Sequence, residues 1–519
     1  MAAAAGVAAA DETARPARRG WIGWLYPGLH PILFAVFPLL SLFAHNQSEV
    51  ELGVLWAPLA ISVATGALLY GAFLAVFKRP ASGAAMAAAI VVALLYYGIF
   101  ADKWGGLGGW FPVLWLAAFA ALAVAVVRSR RRLARLTLIL TAGAAVLVAG
   151  PLANIVVYQL DHPGLSGADP RLWPDALAPL PRSASRPDIY VLIPDDDARP
   201  DVLHHYFHYD DAAFLAALRR RGFVISADSR SPYSDSESNV AAALNMSYLS
   251  RFGAVLGAKS QDVRPVRRVI DDNRAARLLE PLGYRYVHLD TDQVTFPGAG
   301  NPDISPFASP DSFMNLWTHQ SILREIGGPI GFDDAAVNGR WRGSIQSMFG
   351  RLTALARQGG PPRFVVFHTL LPHDPYVYGA NGEAISFPGR TDDDLHSRLG
   401  MRYYLPQLEY VNRKLLETTD AILAHARTPP IVVIQSDEGF EAASQFGEDA
   451  QQDIRVKGLI ALHLPGRTRL PSPLNAVNTL RLVFDRTFGA RYPLLRSVSY
   501  PEGDFPYQFE AMDVRGVAK

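Results

Sequence analysis

With no cysteine in 519 residues, the chain can hold neither disulfides nor zinc–thiolate sites, and a cysteine nucleophile is excluded. The formal charge is close to neutral at +1, with no basic stripe of the kind that binds nucleic acid. Half of the residues are hydrophobic, and a mean hydropathy of +0.11 is high for a water-soluble protein.

The apolar excess lies in the first third. Residues 1–20 form an Ala-rich tail ending in Arg15, Arg18 and Arg19. Five apolar runs follow, near residues 21–44, 52–77, 81–101, 109–127 and 136–158, each about the 20 residues that a bilayer requires. Trp21, Trp24, Trp110 and Trp115 stand toward their ends, where interfacial aromatics belong. Arg15, Arg18 and Arg19, Lys78 and Arg79, then Arg128, Arg130, Arg131, Arg132 and Arg135 fall on one side. Glu49, Glu51 and Asp102 fall on the other. The positive-inside rule then predicts a multi-pass cell-membrane protein with a cytoplasmic N-terminus. An odd number of spans sends everything after Tyr158 out of the cytoplasm. The first run is too long for a signal peptide and is followed by further runs.

Residues 159–186 are rich in Pro, Gly, Ser and Ala and read as a linker, either a stalk or a loop packed over the next domain. Residues 187–519 alternate strand and helix patterns, which predicts an α/β domain built on a mainly parallel sheet. Strands are expected over 189–193, 223–227, 284–289, 364–368, 431–435 and 458–464. Helices are expected over 211–221, 239–249, 273–282, 344–357, 406–426 and 475–488.

Two of these strands end in carboxylates. The β-branched run Ile431-Val-Val-Ile434 leads into Asp437, Glu438 and Gly439, and Ile189-Tyr-Val-Leu-Ile193 leads into Asp195, Asp196 and Asp197. Ligands of open α/β sheets bind at the carboxyl ends of strands, and carboxylates from two strands at one rim suit a hard cation. Asp196 or Asp197 offers an extra ligand, but a solvated acidic turn is the simpler reading of these two residues.

The loop Ser229-Arg-Ser-Pro-Tyr-Ser-Asp-Ser-Glu-Ser-Asn-Val240 runs into an apolar helix. A hydroxyl at a helix N-terminus beside a cation is placed to be a nucleophile, since both favour its alkoxide and an attached phosphate. Composition does not choose among Ser234, Ser236 and Ser238. His204 and His208 stand four apart, as metal-binding pairs on helices do, but their aromatic neighbours favour a partly buried helix end. Arg455 and Lys457, before the last strand, are weak candidates for a phosphate contact.

Several motifs recur in an order that resembles a known family. They are Pro187-Asp-Ile-Tyr-Val-Leu-Ile-Pro-Asp195 with Arg199, Ser231 to Ser234 with Leu244-Asn-Met246, and Phe367-His368 with Leu370-Leu-Pro-His373. Further matches are Gln407-Leu408 with Tyr410-Val-Asn412, Ile434-Gln-Ser-Asp437, and Ser472 to Phe484. The stretch they cover is similar to the sulfatase-like branch of the alkaline phosphatase superfamily. That superfamily includes the lipoteichoic acid synthases and phosphoethanolamine transferases, which also carry about five spans before an external catalytic domain. The resemblance implies an alkaline-phosphatase-like sheet flanked by helices. It also implies one divalent cation held by Asp195, Ser236, Asp437 and Glu438, with Ser236 as nucleophile and His373 near the substrate phosphate. A lipid head-group donor and a glycan or lipid acceptor are the implied partners.

Two positions depart from the pattern. Glu438 stands where those relatives usually have histidine. The resulting all-oxygen ligand set favours Mg²⁺, Mn²⁺ or Ca²⁺ over zinc. Asp195-Asp196-Asp197 stands where relatives show a single acid. The formylglycine register of true sulfatases is absent: Arg230 and Ser234 flank Pro232 where Cys or Ser and then Arg belong. Alternative readings are a sulfuric-ester or soluble phosphodiester hydrolase, and a non-catalytic envelope protein that keeps the fold.

Overall fold

The computed structural model describes residues 26–104, 110–128, 133–162, 164–182, 185–290, 312–326, 334–387, 397–441, 446–466, 469–500, 503 and 505–509. The tail with Arg15, Arg18 and Arg19, the expected anchors Trp21 and Trp24, and Arg130, Arg131 and Arg132 lie outside them. The chain forms two compact units. One comprises Met1–His45, Gly53–Tyr158 and Leu316–Glu325; the other comprises Asn46–Leu52, Gln159–Asn315 and Ile326–Lys519.

The first unit is helical: α1 (Leu29–Asn46), α2 (Trp56–Phe77), α3 (Pro80–Leu95), α4 (Tyr97–Trp104), α5 (Trp110–Arg128) and α6 (Leu133–Asp161). Four stretches are long and apolar enough to cross a membrane: Tyr26–Asn46, Leu52–Phe77, Trp110–Arg128 and Arg135–Asp161. The span expected over 81–101 is broken into α3 and α4, bent by 52°; counted as one, the pair brings the number to five. The break has a cause. Gly98 N would ordinarily bond Leu94 O, but it donates to Gln320 O at 2.9 Å, while Leu94 O accepts from Ile322 N at 2.7 Å. A Cβ on residue 98 would lie 2.2 Å from His319 O, so only glycine admits this approach. Helix α3 is Ala-rich and largely buried. Gly83 lets its backbone press on Leu74 of α2, as small residues do between membrane helices.

The second unit is built on a six-stranded sheet of order β2-β7-β6-β1-β5-β4. Its strands are β1 (Ile189–Asp195), β2 (Val224–Ile225), β4 (Arg285–Asp290), β5 (Arg363–Pro372), β6 (Ile431–Gln435) and β7 (Ile460–His463). Strand β1 runs parallel to β5 and β6, and β4 parallel to β5, while β7 and β2 are antiparallel at one edge. The sheet is therefore mainly parallel, with an antiparallel margin. All six strands stand where the apolar runs predict them. A two-stranded sheet of β3 (Ser229–Arg230) and β8 (Leu474–Asn475), too short to show a period, was not foreseen.

Both faces of the sheet are covered, and the period of two sorts each strand between two cores. Ile189, Val191, Ile193, Phe364, Val366, Ile431 and Val433 pack on one side. With them are α9 (Ser236–Asn245) and the last helix, Thr479–Phe488. Tyr190, Leu192, Val365, Phe367, Val432 and Ile434 pack on the other, with α7 (Pro200–Phe207), α8 (Ala212–Arg220), α10 (Asp334–Arg357) and α11 (Arg398–His425). Helix α11 starts well before the expected 406. The Ser397 hydroxyl caps it by accepting from Leu399 N, and Pro406 sits inside it. It buries Tyr404, Leu408, Val411, Leu415 and Ile422, and each such side chain contributes about 1.5–3 kcal/mol.

Candidate active site

Three adjacent parallel strands deliver side chains to one rim. Pro194 has no N–H for the ladder, and the β1–β5 register shifts between Pro194 and Asp195, the irregularity that proline in a strand interior demands. Asp195 ends β1 there, 1 % exposed. Asp196 follows at φ +64°, a left-handed conformation that Asp tolerates, and its Oδ1 accepts from Glu441 N at 3.1 Å. After β6, Ser436 Oγ donates within the turn to Glu438 O at 2.6 Å and receives Asp197 N at 2.9 Å. That stitches the two acidic turns together. Gly439 completes the turn: a Cβ there would lie 2.1 Å from Ile454 O. This close approach brings in the helix α12 (Glu448–Arg455) and its terminal Arg455.

Among the three candidate serines, the geometry singles out Ser236. Asp235 caps α9 by accepting from Ser238 N at 2.8 Å, so Ser236 is the first helical residue, earlier than the expected start at 239. Its Oγ lies 3.5 and 3.4 Å from the two oxygens of Asp195 and 3.4 Å from Glu438 Oε1. Ser234 instead gives its carbonyl to the Arg455 guanidinium at 2.6 Å. The structure thus brings Ser236, Asp195 and Glu438 together, with Asp437 beside them.

A residue passed over in the sequence joins this group. His368 is fully buried at the carboxyl end of β5, with Nε2 3.2 Å from Asp437 Oδ2 and Nδ1 3.2 Å from Asp290 Oδ1. Asp195, His368 and Asp437 offer ligand atoms that all lie within 4.8 Å of one another, and so do Asp195, Asp196 and Glu438. The groups that could hold a cation therefore include an imidazole, and the preference for Mg²⁺, Mn²⁺ or Ca²⁺ over zinc loses its premise, because imidazole suits zinc. Only the register reveals it: His368 pairs with Ile193 of β1 and Asp290 of β4 at the rim where Asp195 emerges. The solvated acidic turn is also corrected, since Asp196 and Asp197 are both buried.

His373 comes close to the rim acids. Its Nε2 lies 2.8 Å from Glu441 Oε2 and its Nδ1 2.7 Å from Asp374 O. Burial alone would lower its pKa, but Asp196, Asp195 and Glu441 outweigh it and hold the imidazole well above its usual value. Arg455, rated weakly from sequence, reaches Glu441 Oε1 at 3.1 Å and stands 3.8 Å from Glu438 Oε2. Lys457 instead pairs with Asp453. His204 and His208 do not form a pair site. His208 is the left-handed cap that ends α7, and both side chains are exposed.

These residues fit a bound cation. Burial pushes Asp195 and Glu438 well above the carboxylate range and Asp196 up to about 8, and neighbouring carboxylates add to the effect. Glu438 Oε2 is buried without a hydrogen bond. Buried like charges with an unmet oxygen call for a positive charge at their centre.

No protein-family model and no curated protein matches the chain. Among solved structures, it is similar to the C-terminal periplasmic domain of EptC from Escherichia coli. The identity is 12 %, covering 65 % of this chain and 96 % of that one, with a TM-score of 0.42. The periplasmic domain of the phosphoethanolamine transferase EptC from Campylobacter jejuni gives 12 %, 54 % and 79 %, at 0.33. A putative sulfatase from Bacteroides thetaiotaomicron gives 15 %, 60 % and 72 %, at 0.37.

Proposed function

We propose that this protein is a membrane-anchored, metal-dependent hydrolase or transferase of phosphate esters, acting through Ser236. The observation that carries the reading is the Ser236 hydroxyl, held at the start of α9 within 3.5 Å of three buried carboxylate oxygens. A hydroxyl so placed is poorly served as a plain helix residue and well served as a nucleophile beside a cation.

Asp195, Asp437 and Glu438, with His368 and Asp196 at hand, would hold one divalent ion. When bound, that ion would lower the pKa of the Ser236 hydroxyl and neutralise charge developing on the phosphoryl group. Ser236 loses its proton to solvent, and its Oγ then forms a bond to phosphorus as the bond to the leaving oxygen breaks. His373, kept protonated by the carboxylates around it, gives its proton to that oxygen. Water or an alcohol then attacks the phosphoserine from the opposite side and gives its proton to the neutral His373, while the Oγ–P bond breaks and the released Ser236 takes a proton from solvent. The α9 N-terminus stabilises the phosphoryl oxygens through its free amides. Apolar helices earlier in the chain favour a lipid head group as donor and a glycan or lipid hydroxyl as acceptor.

The test is turnover of a chromogenic phosphodiester by the full chain in detergent, before and after chelation, beside Ser236→Ala. Metal-dependent turnover that falls by roughly 10³-fold or more in the variant supports the reading. A Ser236→Ala protein with full turnover would sink it. Wild type that binds no metal and turns nothing over favours the non-catalytic reading, which Glu438 keeps in play.

A further inference from the structure

Glu237 directly follows Ser236, and a carboxylate at that point is at odds with an anionic substrate. It is the second residue of α9, whose N-terminal amides serve the phosphoryl oxygens in the reaction proposed. An acidic side chain in the first turn of a helix is itself drawn to those amides. Left alone, the Glu237 carboxylate would compete with phosphate for the same positive helix end. It also has room to move. A cavity of about 270 Å³ lies beside it, lined as well by Asp235, Ser238, Val263 and Val266.

Arg267 holds the carboxylate in place. Its Nε donates to Glu237 Oε1 at 2.9 Å, and its Nη2 donates to the same oxygen. The other side of the guanidinium is fixed too, because Nη1 donates to Glu49 O at 2.6 Å. The backbone around Glu49 is tied down in turn. Val263 N donates to Ser48 O at 3.0 Å, and Arg268 Nε donates to Glu51 Oε1 at 2.5 Å. Arg267 stands on the helix Arg264–Asp271, which packs Val266, Val269 and Ile270 in the same core as Val240 and Leu244 of α9. At the far end of α9, Asn245 Nδ2 donates to Val269 O at 2.8 Å. The two helices are thus joined at both ends of α9, and all of these groups belong to the second unit.

We propose that Arg267 is a positioning residue for the Ser236 site: it neutralises Glu237 and keeps that carboxylate off the start of α9, so that the amides there stay open to a phosphate group. The proposal rests on the reading that phosphate binds at this helix end. Arg267 acts through Glu237 and is not itself a ligand of the phosphate. Removing it weakens phosphate binding in the ground and transition states alike, so KM rises while kcat holds. Removing the charge of Glu237 as well undoes the damage, because the competing anion has gone.

The test uses the full chain in detergent, with calorimetric binding of inorganic phosphate and steady-state turnover of a chromogenic phosphodiester as its two readings. Arg267→Ala is expected to raise the Kd for phosphate and the KM by roughly five- to twentyfold, with kcat held within about twofold. Adding Glu237→Gln should bring both constants back to near wild type, and Arg267→Lys alone should keep most of the affinity. Where Arg267→Ala fails to fold, Glu237→Gln by itself decides: phosphate should bind at least as tightly as to wild type, and weaker binding overturns the proposal. A loss in Arg267→Ala that Glu237→Gln does not recover would mark Arg267 as a packing residue and overturn it too. So would an unchanged phosphate affinity in Arg267→Ala, or a wild type that binds no phosphate. Full turnover in Ser236→Ala would remove the nucleophile assignment alone, because the phosphate comparison needs no nucleophile.

Discussion

One turn sends neighbouring carboxylates to two different fates. Asp195 falls on the face where α9 packs and meets a hydroxyl, while His368, His373 and Arg455 stand close by. Asp197, two residues later, is equally buried, and neither of its side-chain oxygens has a hydrogen-bond partner. The left-handed residue between them, Asp196, makes the reversal. The lesson is that burial of acids is not itself a sign of chemistry. The rim has a hydroxyl, imidazoles and a guanidinium arranged around its carboxylates, the groups on which the proposed reaction depends. Asp197 is buried without a hydrogen bond to any of these groups.

Breaking the rim should give the largest effect. Ser236→Ala is expected to lower turnover by roughly 10³-fold or more, while thermal unfolding shifts little. Next comes Arg455→Gln. It removes the guanidinium near Glu438 and the anchor on Ser234, and hydrogen bonds to charged groups contribute about 1.5–3 kcal/mol. Turnover should fall by roughly ten- to a hundredfold, with partial recovery in Arg455→Lys.

The pH profile sharpens the contrast further. His373 is raised above its usual value, so its protonated form persists through neutral pH. As a proton donor it should support turnover below its folded pKa, and activity should fall as pH rises through that value. The same sign holds for stability: its contribution is complete below the unfolded pKa of about 6.5 and is lost on passing the folded one. Glu441→Gln removes one of the groups that raise it, and the alkaline limb of the rate profile should move to lower pH. An unmoved limb would show that His373 is not the acid.

The smallest effect is expected at His204, exposed on α7. His204→Ala should change stability by less than about 0.5 kcal/mol and leave metal content and turnover unaltered.

Much of this was written locally. The six strands were legible because β-branched runs must be buried on both faces of a parallel sheet, and Asp195 and Asp437 because they end such runs. The apolar stretches were legible by length alone, but the bend between α3 and α4 was not. It depends on Gln320 and Ile322, some 220 residues away in the sequence, taking over the backbone bonds around Gly98. His368 was equally hidden as an ordinary strand residue until the register placed it beside Ile193 and Asp290.

What the sequence by itself determined is the alternation of strands and helices, the apolar spans, and which strand ends carry acids. These follow from periodicity and side-chain chemistry, which act over a few residues. Only the tertiary structure decided which serine faces the acids and that an imidazole joins them. It also decided that Asp197, two residues after Asp195, is buried without a hydrogen-bond partner. Those choices are made by strand order, register and one left-handed residue, which bring distant groups within a few ångströms and so lie beyond any local pattern.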